Sequence, residues 1–317
     1  MRIEMRTVLK LAGLAGLVAW SLGVAFAQDL APRAYIITPI HSNAVTLTYS
    51  FSGGSILLEG AAPITDASGK INTSVVSYFH TLSFFGRSAN ITASLPYGVG
   101  NFQGKVRGTE ATAYRSGLQD AGFRFSVNLL GGPAMDTKNF LRWRQKTVLG
   151  ASLKVIAPTG QYDPTKALNF SANRWAFKPE LGYSRRWGGW VLDAYGAVWL
   201  FTTNPEYFSH TRYSPGTNTR SQRPIGAFEG HLSYDFKPRL WASLDVNYWI
   251  GGRTSLNGVE NPNTLQENSR VGATFSVPVS KHQSLKFNYS DGAYIHFGGD
   301  FHNVSVAWQY SWLGRPN

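Results

Sequence analysis

Two-residue alternation of apolar and polar side chains, in segments of about ten residues from Ala44 nearly to the end, constrains this chain more than anything else in it. Extended backbone sends successive side chains to opposite faces, so each segment predicts a strand with one greasy and one wet face. Val45, Leu47, Tyr49 and Phe51 alternate with Thr46, Thr48 and Ser50. Phe123, Phe125, Val127 and Leu129 alternate with Arg124, Ser126 and Asn128. Val271, Ala273, Phe275 and Val277 alternate with Arg270, Thr274 and Ser276, and Leu285, Phe287 and Tyr289 with Lys286, Asn288 and Ser290.

About twelve such segments follow one another. They run from Ala44 to Gly53, Ser74 to Phe85, Ala89 to Pro96, Ala121 to Leu130, Thr147 to Ala157 and Trp175 to Arg186. The others are Gly189 to Phe201, Pro224 to Phe236, Arg239 to Gly251, Asn268 to Val279, Gln283 to Asp291 and Phe301 to Trp312. Those near Val76 and Val191 alternate poorly and rest on length and flanking turns. Short connections (Gly86-Arg87-Ser88, Trp187-Gly188, Lys237-Pro238, Ser280-Lys281-His282) alternate with long polar ones (Gly54 to Thr73, Tyr97 to Asp120, Pro158 to Arg174, Thr202 to Arg223, Gly252 to Glu267) and a shorter Gly292 to Asp300. Short turns on one side and long loops on the other describe an up-and-down barrel of the outer membrane. Gly131 to Lys146 breaks the rule, being long where a short periplasmic turn belongs, with room for a short helix. A soluble β-sandwich would also alternate, but its strands are usually shorter. Trp175, Trp187, Trp190, Trp241, Trp249, Trp308 and Trp312 lie mostly near strand ends, as interfacial girdles require. Pro179 conflicts with a central strand, where it removes a ladder hydrogen bond.

The first residues carry Arg2, Arg6 and Lys10, then Leu11 to Ala27 runs without charge and ends Ala25-Phe26-Ala27. Basic, apolar and small-x-small in that order predict an export signal peptide over 1–27, with the barrel over 28–317 and a mature start at Gln28. An uncleaved anchor is the weaker alternative, since 17 or so apolar residues is near the lower limit for a spanning helix. Beyond that segment no apolar run approaches spanning length, so a membrane fold can only be a closed barrel, because lipid tolerates no unpaired backbone. Without the signal, the 30 basic and 18 acidic residues become 27 and 17, leaving about +10. The positive residues are scattered, not gathered in a stripe, which argues against nucleic acid and for lipopolysaccharide phosphates or an anion-attracting lumen. With no cysteine there is neither a disulfide framework nor a thiolate metal site.

No catalytic or metal constellation stands out, and no cofactor is expected. His41-Ser42-Asn43 has the residue types of an outer-membrane phospholipase, but three adjacent residues point to alternating sides and form no triad; a turn is the plainer reading. Asp163-Pro164 could suggest calcium, and a hydrogen-bonded loop fits it better. Alternation turns Arg124, Lys154, Lys178, Glu180, Glu229, His231, Asp245, Arg270 and Lys286 inward. A Lys or Arg facing mid-membrane lipid would cost about 2–4 kcal/mol, so the lumen takes them, either to line a conduit or to plug it. In the last strand Val304, Val306, Trp308, Tyr310 and Trp312 alternate to an aromatic, resembling the C-terminal signal read by the barrel assembly machinery, although Leu313 to Asn317 follow.

The chain also resembles a known family in AYIITPIHSN, TLSFFGRSANITASLPYG, GLQDAGFRFSVNLLGGPA, the block from LKVIAPTGQYDPTKALNF to YGAVWLFTTN, and HLSYDFKPRLWASLDVNYWIGG. It is similar to the outer-membrane transporters associated with the meta-pathway of phenol degradation. The resemblance implies a barrel passing small organic, often aromatic, compounds, and brings no catalytic residues. The expectation is therefore a passive outer-membrane channel, not an enzyme, with membrane lipid, lipopolysaccharide, the assembly machinery and a small solute as partners. A phospholipase-like hydrolase and a structural or adhesive barrel are the alternatives.

Overall fold

A computed structural model describes residues 30–57, 64–106, 108–166, 168–210 and 215–314. The expected signal peptide and its cleavage site lie outside the described residues. The strands of the wall are β1 (Ser42–Leu57), β2 (Ile64–Phe84), β3 (Arg87–Val106), β5 (Ala121–Leu130), β6 (Thr147–Ala157), β7 (Ala176–Trp187), β8 (Trp190–Phe201), β10 (Ile225–Lys237), β11 (Leu240–Gly251), β14 (Gln266–Pro278), β15 (Gln283–Ile295) and β16 (Gly298–Leu313). Each pairs antiparallel with its sequence neighbour in this set, and β1 pairs with β16, Ser42 opposite Leu313, so twelve strands close into a ring. Closure leaves no edge to pair outside.

The outer face carries Leu47, Tyr49, Val76, Phe123, Leu181, Phe228, Leu244, Val271, Phe275, Phe287 and Val304, all exposed, with Leu244 at 69%. The residues between them face inward and include buried Ser126, Ser152, Lys178, Glu180, Glu229, Ser243, Asp245 and Arg270. This inverts a soluble protein and suits a lipid solvent.

Two-residue turns join β2 to β3 at Phe85-Gly86 and β7 to β8 at Gly188-Gly189. Phe85 and Gly86 both have positive φ (48° and 74°), the left-handed pair whose twist matches a tight hairpin. At the opposite end the expected loops Gly54 to Thr73 and Tyr97 to Asp120 are corrected: β2 runs 21 residues and β3 20, and β4 (Thr109–Leu118) pairs only with β3. At about 3.3 Å per residue these strands stand far above a 25 Å apolar band. β3 pairs with β5 up to Ser94 and with β4 from Tyr97; Pro96, which has no N–H to give, sits at the change of partner. One side of this extension is polar and the other is mostly glycine around the buried Phe102, so no regular alternation betrays it. Outside the barrel β9 (Arg220–Gln222), β12 (Thr254–Leu256) and β13 (Val259–Asn261) form a small second sheet, inside what was expected to be loop.

Pro179 is absorbed without a bulge. The β7–β8 register runs from Phe177 opposite Leu200 to Glu180 opposite Ala197, and skips Lys178 and Pro179 between them. The expected aromatic girdle is also corrected in part. Trp241 and Trp249 are buried and face the lumen, whereas Trp175, Trp187 and Trp190 stand exposed at strand ends.

Candidate functional site

The lumen is occupied by the chain's own N-terminal segment. Leu30 reaches the β14 wall, where a Cβ on Gly272 would lie 2.9 Å from its side chain. Arg33 is tied to β8 and β10: its backbone N–H donates to Asp193 Oδ2 (3.1 Å), its Nε to Ser233 Oγ (2.9 Å) and its Nη1 to Asp235 Oδ1 (2.6 Å). The guanidinium lies 4.2 Å from the Trp241 ring. Thr38 and Thr81 of β2 are 2.6 Å apart through their hydroxyls, and the His41 N–H donates to the Thr81 carbonyl (2.9 Å). The segment thus crosses from the β14 side to β2 before entering β1.

Tyr35 is its deepest anchor. Gly150 of β6 and Gly182 of β7 face each other across the strand pair, and a Cβ on either would sit 2.2 or 2.0 Å from the Tyr35 ring. Only glycine lets the ring approach the wall so closely. The hydroxyl lies 2.9 Å from Glu180 Oε1 and 3.1 Å from Ser152 Oγ. Tyr195 of β8 meets the ring edge-on at 5.3 Å, and the Arg124 guanidinium stands 5.0 Å from it. Below, the puzzling segment Gly131 to Lys146 holds helix α1 (Thr137–Arg142), capped by Asp136. Its Met135, Phe140 and Trp143 pack with Tyr35, Ile37, Val148 and Tyr195, and the Ile40 N–H donates to the Met135 carbonyl (2.8 Å). That connection is long and holds the inserted segment from the short-turn end of the barrel.

Around Tyr35 the inward charges form a chain. Arg124 Nη2 lies 3.3 Å from Glu180 Oε1; Lys178 Nζ bridges Glu180 Oε2 (2.8 Å) and Glu229 Oε1 (2.7 Å). His231 Nε2 is 3.6 Å from Glu229, its Nδ1 is 2.8 Å from Asp245 Oδ1, and Thr274 donates to Asp245 Oδ2 (2.7 Å). Residues two apart share a face, which places Lys178 beside Glu180 and Glu229 beside His231; the register brings the pairs together. The chain therefore traverses β5, β7, β10, β11 and β14.

Toward the loops the inner wall turns apolar: Ile156, Ala176, Ala197, Trp199, Ile225, Ala227 and Trp249 form a buried cluster joined by Phe201 and Ile295. Lys154 and Lys178 stand 5.9 and 5.8 Å from the Trp199 ring. Toward the short-turn end lies a cavity of about 860 Å³ between the inserted segment and β14, β15, β16, β1, β2 and β3, lined among others by Thr46, Ser77, Asn90, Ser276, Lys286 and Gln309. Arg33, Arg186, Asp235, Lys237 and Arg239 rim it, with Asp235 shared by Arg33 and Arg186. Cations outnumber acids there.

Of the residues expected inside, Arg124, Lys178, Glu180, Glu229, His231 and Asp245 are brought into one network. Lys154 stands over Trp199, and Lys286 lines the lower cavity. Arg270 is apart, donating to Ser290 Oγ (3.2 Å) and to the Phe301 carbonyl (2.9 Å). Val304, Val306, Trp308, Tyr310 and Trp312 fall on the outer face of β16, with Tyr310 stacked on Trp308 at 6.4 Å and tilted against Trp312 at 5.8 Å. Ser42 donates its hydroxyl to the Pro39 carbonyl (2.6 Å) and Asn43 its amide to the His41 carbonyl (2.8 Å), so the stretch is a turn at His41 that opens directly into β1 with Ser42 and Asn43. Asp163 accepts from Thr165 and pairs with Lys166 (2.9 Å), a self-bonded loop whose carboxyl is held below its usual range by the Thr165 hydroxyl. Among the described residues no group of three His, Asp or Glu could hold a metal ion. Sequence reasoning missed Arg33, Tyr35, Asp193, Tyr195, Asp235 and Trp199. A faint signal existed: apart from Asp193 both faces of β8 are apolar or aromatic, which is why it alternates poorly.

A family model described as "Putative MetA-pathway of phenol degradation" matches residues 45–294. Among solved structures, an outer membrane channel from Pseudomonas putida F1 is 16% identical, with a TM-score of 0.73 over 90% of this chain and 100% of that one. The translocator domain of the autotransporter NalP from Neisseria meningitidis is 11% identical, with a TM-score of 0.51 over 87% and 90% of the two chains. No curated protein sequence matches.

Proposed function

From the premise that the chain belongs to the family of the phenol-degradation meta-pathway, a membrane-spanning barrel of the Gram-negative outer membrane, we propose that it is a passive conduit for small organic solutes and not an enzyme. The observation that carries this reading is the division of the lumen into an apolar, Trp-lined upper part and a cation-rimmed lower cavity of about 860 Å³. That volume lies in the range of sites for small organic ligands. The upper part offers apolar and aromatic surface to a ring, and the lower part favours a negative or electron-rich group. The similar Pseudomonas protein is itself described as an outer membrane channel, which agrees with the reading. Uptake of small aromatic carboxylates and phenols into vesicles holding the purified full chain, measured beside planar-bilayer conductance, tests it. Flux no faster than in empty vesicles together with silent bilayers rejects the conduit, and a lipid-hydrolysis assay on the same sample tests the enzyme alternative.

A further inference from the structure

The wall around Tyr35 is a built receptor for a phenol, and its present occupant is a phenol. Two facing glycines, Gly150 and Gly182, clear the space for the ring; Tyr195 supplies an edge and Arg124 a cation to its face. Glu180 and Ser152 take the hydroxyl at 2.9 and 3.1 Å. Nothing in the barrel's construction demands this recess, because the wall hydrogen bonds of β6 and β7 would form equally well with alanine at either glycine. The recess is specific to what fills it. The backbone flanking Tyr35 is held by groups that can also hold water: the Ala34 N–H donates to Tyr195 Oη (3.1 Å), and the Ala34 carbonyl accepts from Arg124 at the long distance of 3.4 Å. Arg33, Ala34 and Ile36 border the lower cavity directly, so a solute in that cavity is one side chain away from the recess.

We propose that this recess is a phenol-binding site of the lumen wall, kept occupied by Tyr35, and that a small para-substituted phenol passing through takes it by displacing Tyr35. The inference rests on the conduit reading and adds a substrate class to it. Chemistry sets the specificity. A ring without a hydroxyl takes one hydrogen bond from the buried Glu180 and Ser152, which then keep only Lys178 and Arg124, and sites that hydrogen-bond a ligand hydroxyl reject analogues lacking it more strongly than apolar pockets reject a missing methylene. Competition sets the affinity. A ligand that needs the minor, Tyr35-out state binds more weakly by that state's population, so removing Tyr35 strengthens binding by about ten- to a hundredfold if the open state is about 1–10% populated.

The test is calorimetric titration of the purified full chain in one detergent with 4-methylphenol, the detached side chain of tyrosine, and with toluene as the hydroxyl-free control. Tyr35→Ala is expected to bind 4-methylphenol at least about tenfold more tightly than wild type, with no such gain for toluene. Adding Gly182→Ala, whose methyl fills the recess, is expected to abolish the gain. Equal affinity in wild type and Tyr35→Ala, an equal gain for toluene, or a gain indifferent to Gly182→Ala overturns the site. Should Tyr35→Ala fail to fold, Tyr35→Phe carries the comparison. It keeps the ring and loses the hydroxyl anchor, so its affinity for 4-methylphenol must still rise above wild type, and no rise counts against the site. The same proteins in planar bilayers and loaded vesicles separate the two readings: conductance without the affinity gain sinks the receptor alone, and the gain without conductance or flux sinks the conduit alone.

Discussion

Lys178 is the keystone of the charge chain, and replacing it by Met removes the charge at nearly constant volume. Its Nζ lies 2.8 Å from Glu180 and 2.7 Å from Glu229, with both partners' side chains 7% exposed or less. At an effective dielectric of about 20, each contact is worth roughly 6 kcal/mol of gross attraction. Desolvation of three charges offsets most of that, so the ion pairs contribute little net stability when all are present. Removing one member is a different matter. Glu180 keeps Arg124 and Tyr35, but Glu229 is left with His231 at 3.6 Å. Breaking a buried pair in this way costs about 3–5 kcal/mol. The measurement is guanidinium unfolding of the lipid-reconstituted chain, followed by tryptophan fluorescence. With m at about 4 kcal/mol/M, the midpoint should fall by about 1 M at unchanged slope. The double variant Lys178→Met with Glu229→Gln removes the orphaned charge and should recover at least half of the loss. A single-variant shift under about 0.2 M, or a double variant as unstable as the single, would refute the claim that the chain is dry and mutually neutralised.

Other consequences are accessible to simpler assays. Lys286 lines the cation-rimmed cavity, so in a salt gradient the wild type should show anion-favouring reversal potentials and Lys286→Glu a permeability ratio shifted toward cations by about twofold or more; a cation-selective wild type contradicts this. A tag placed in the segment Thr202 to Arg223 should be reached by antibody on intact cells, whereas one at Lys237-Pro238 should need a permeabilised outer membrane, the reverse pattern breaking the topology. N-terminal sequencing of the outer-membrane fraction should begin at Gln28, and retained Met1 would exclude cleavage. Replacing Trp308, Tyr310 and Trp312 together by Ser should slow folding into vesicles with assembly machinery present far more than it lowers the final stability; an equal effect on both would assign that ladder to packing alone.

What the sequence discloses and what it hides divides along the lipid boundary. β5, β14 and β15 are legible because one face meets hydrocarbon and the other meets polar groups, and every second residue must answer to a different solvent. β8 is obscure because most of its inner face, Val191, Tyr195, Ala197 and Trp199, packs apolar contents of its own, and Asp193 alone marks the inside with a charge. The upper halves of β2 and β3 are obscure for the opposite reason: they stand beyond the lipid band, and apart from the buried Phe102 neither side carries an apolar row. Inward placement of Lys178, Glu180, Glu229 and His231 follows from spacing, yet their pairing does not, since it depends on the register that sets Lys154 opposite Lys178 and Glu229 opposite Asn247. The stretch from Leu30 to Ile40 shows no period at all. Its meaning lies in contacts with residues from about forty to two hundred positions away, which local pattern cannot carry.

Strand number explains why such a segment exists. About eight strands give an interior that wall side chains fill, and sixteen or more enclose an open aqueous channel. Twelve leave a lumen in which inward side chains pair along the wall, as Lys178 does with Glu180 and Glu229, without filling the middle. Inserting Arg33 and Tyr35 gives the acids of β7, β8 and β10 fixed partners. It also divides the lumen into the apolar upper part and the cationic lower cavity. The wall is shaped to accept the insertion, through the glycine pair at Gly150 and Gly182, and the connection from Gly131 to Lys146 lengthens to hold it. The glycine pair, the overlong connection from Gly131 to Lys146 and Tyr195 of β8 thus meet at one residue, Tyr35. A change at any of them should be felt first in how Tyr35 sits.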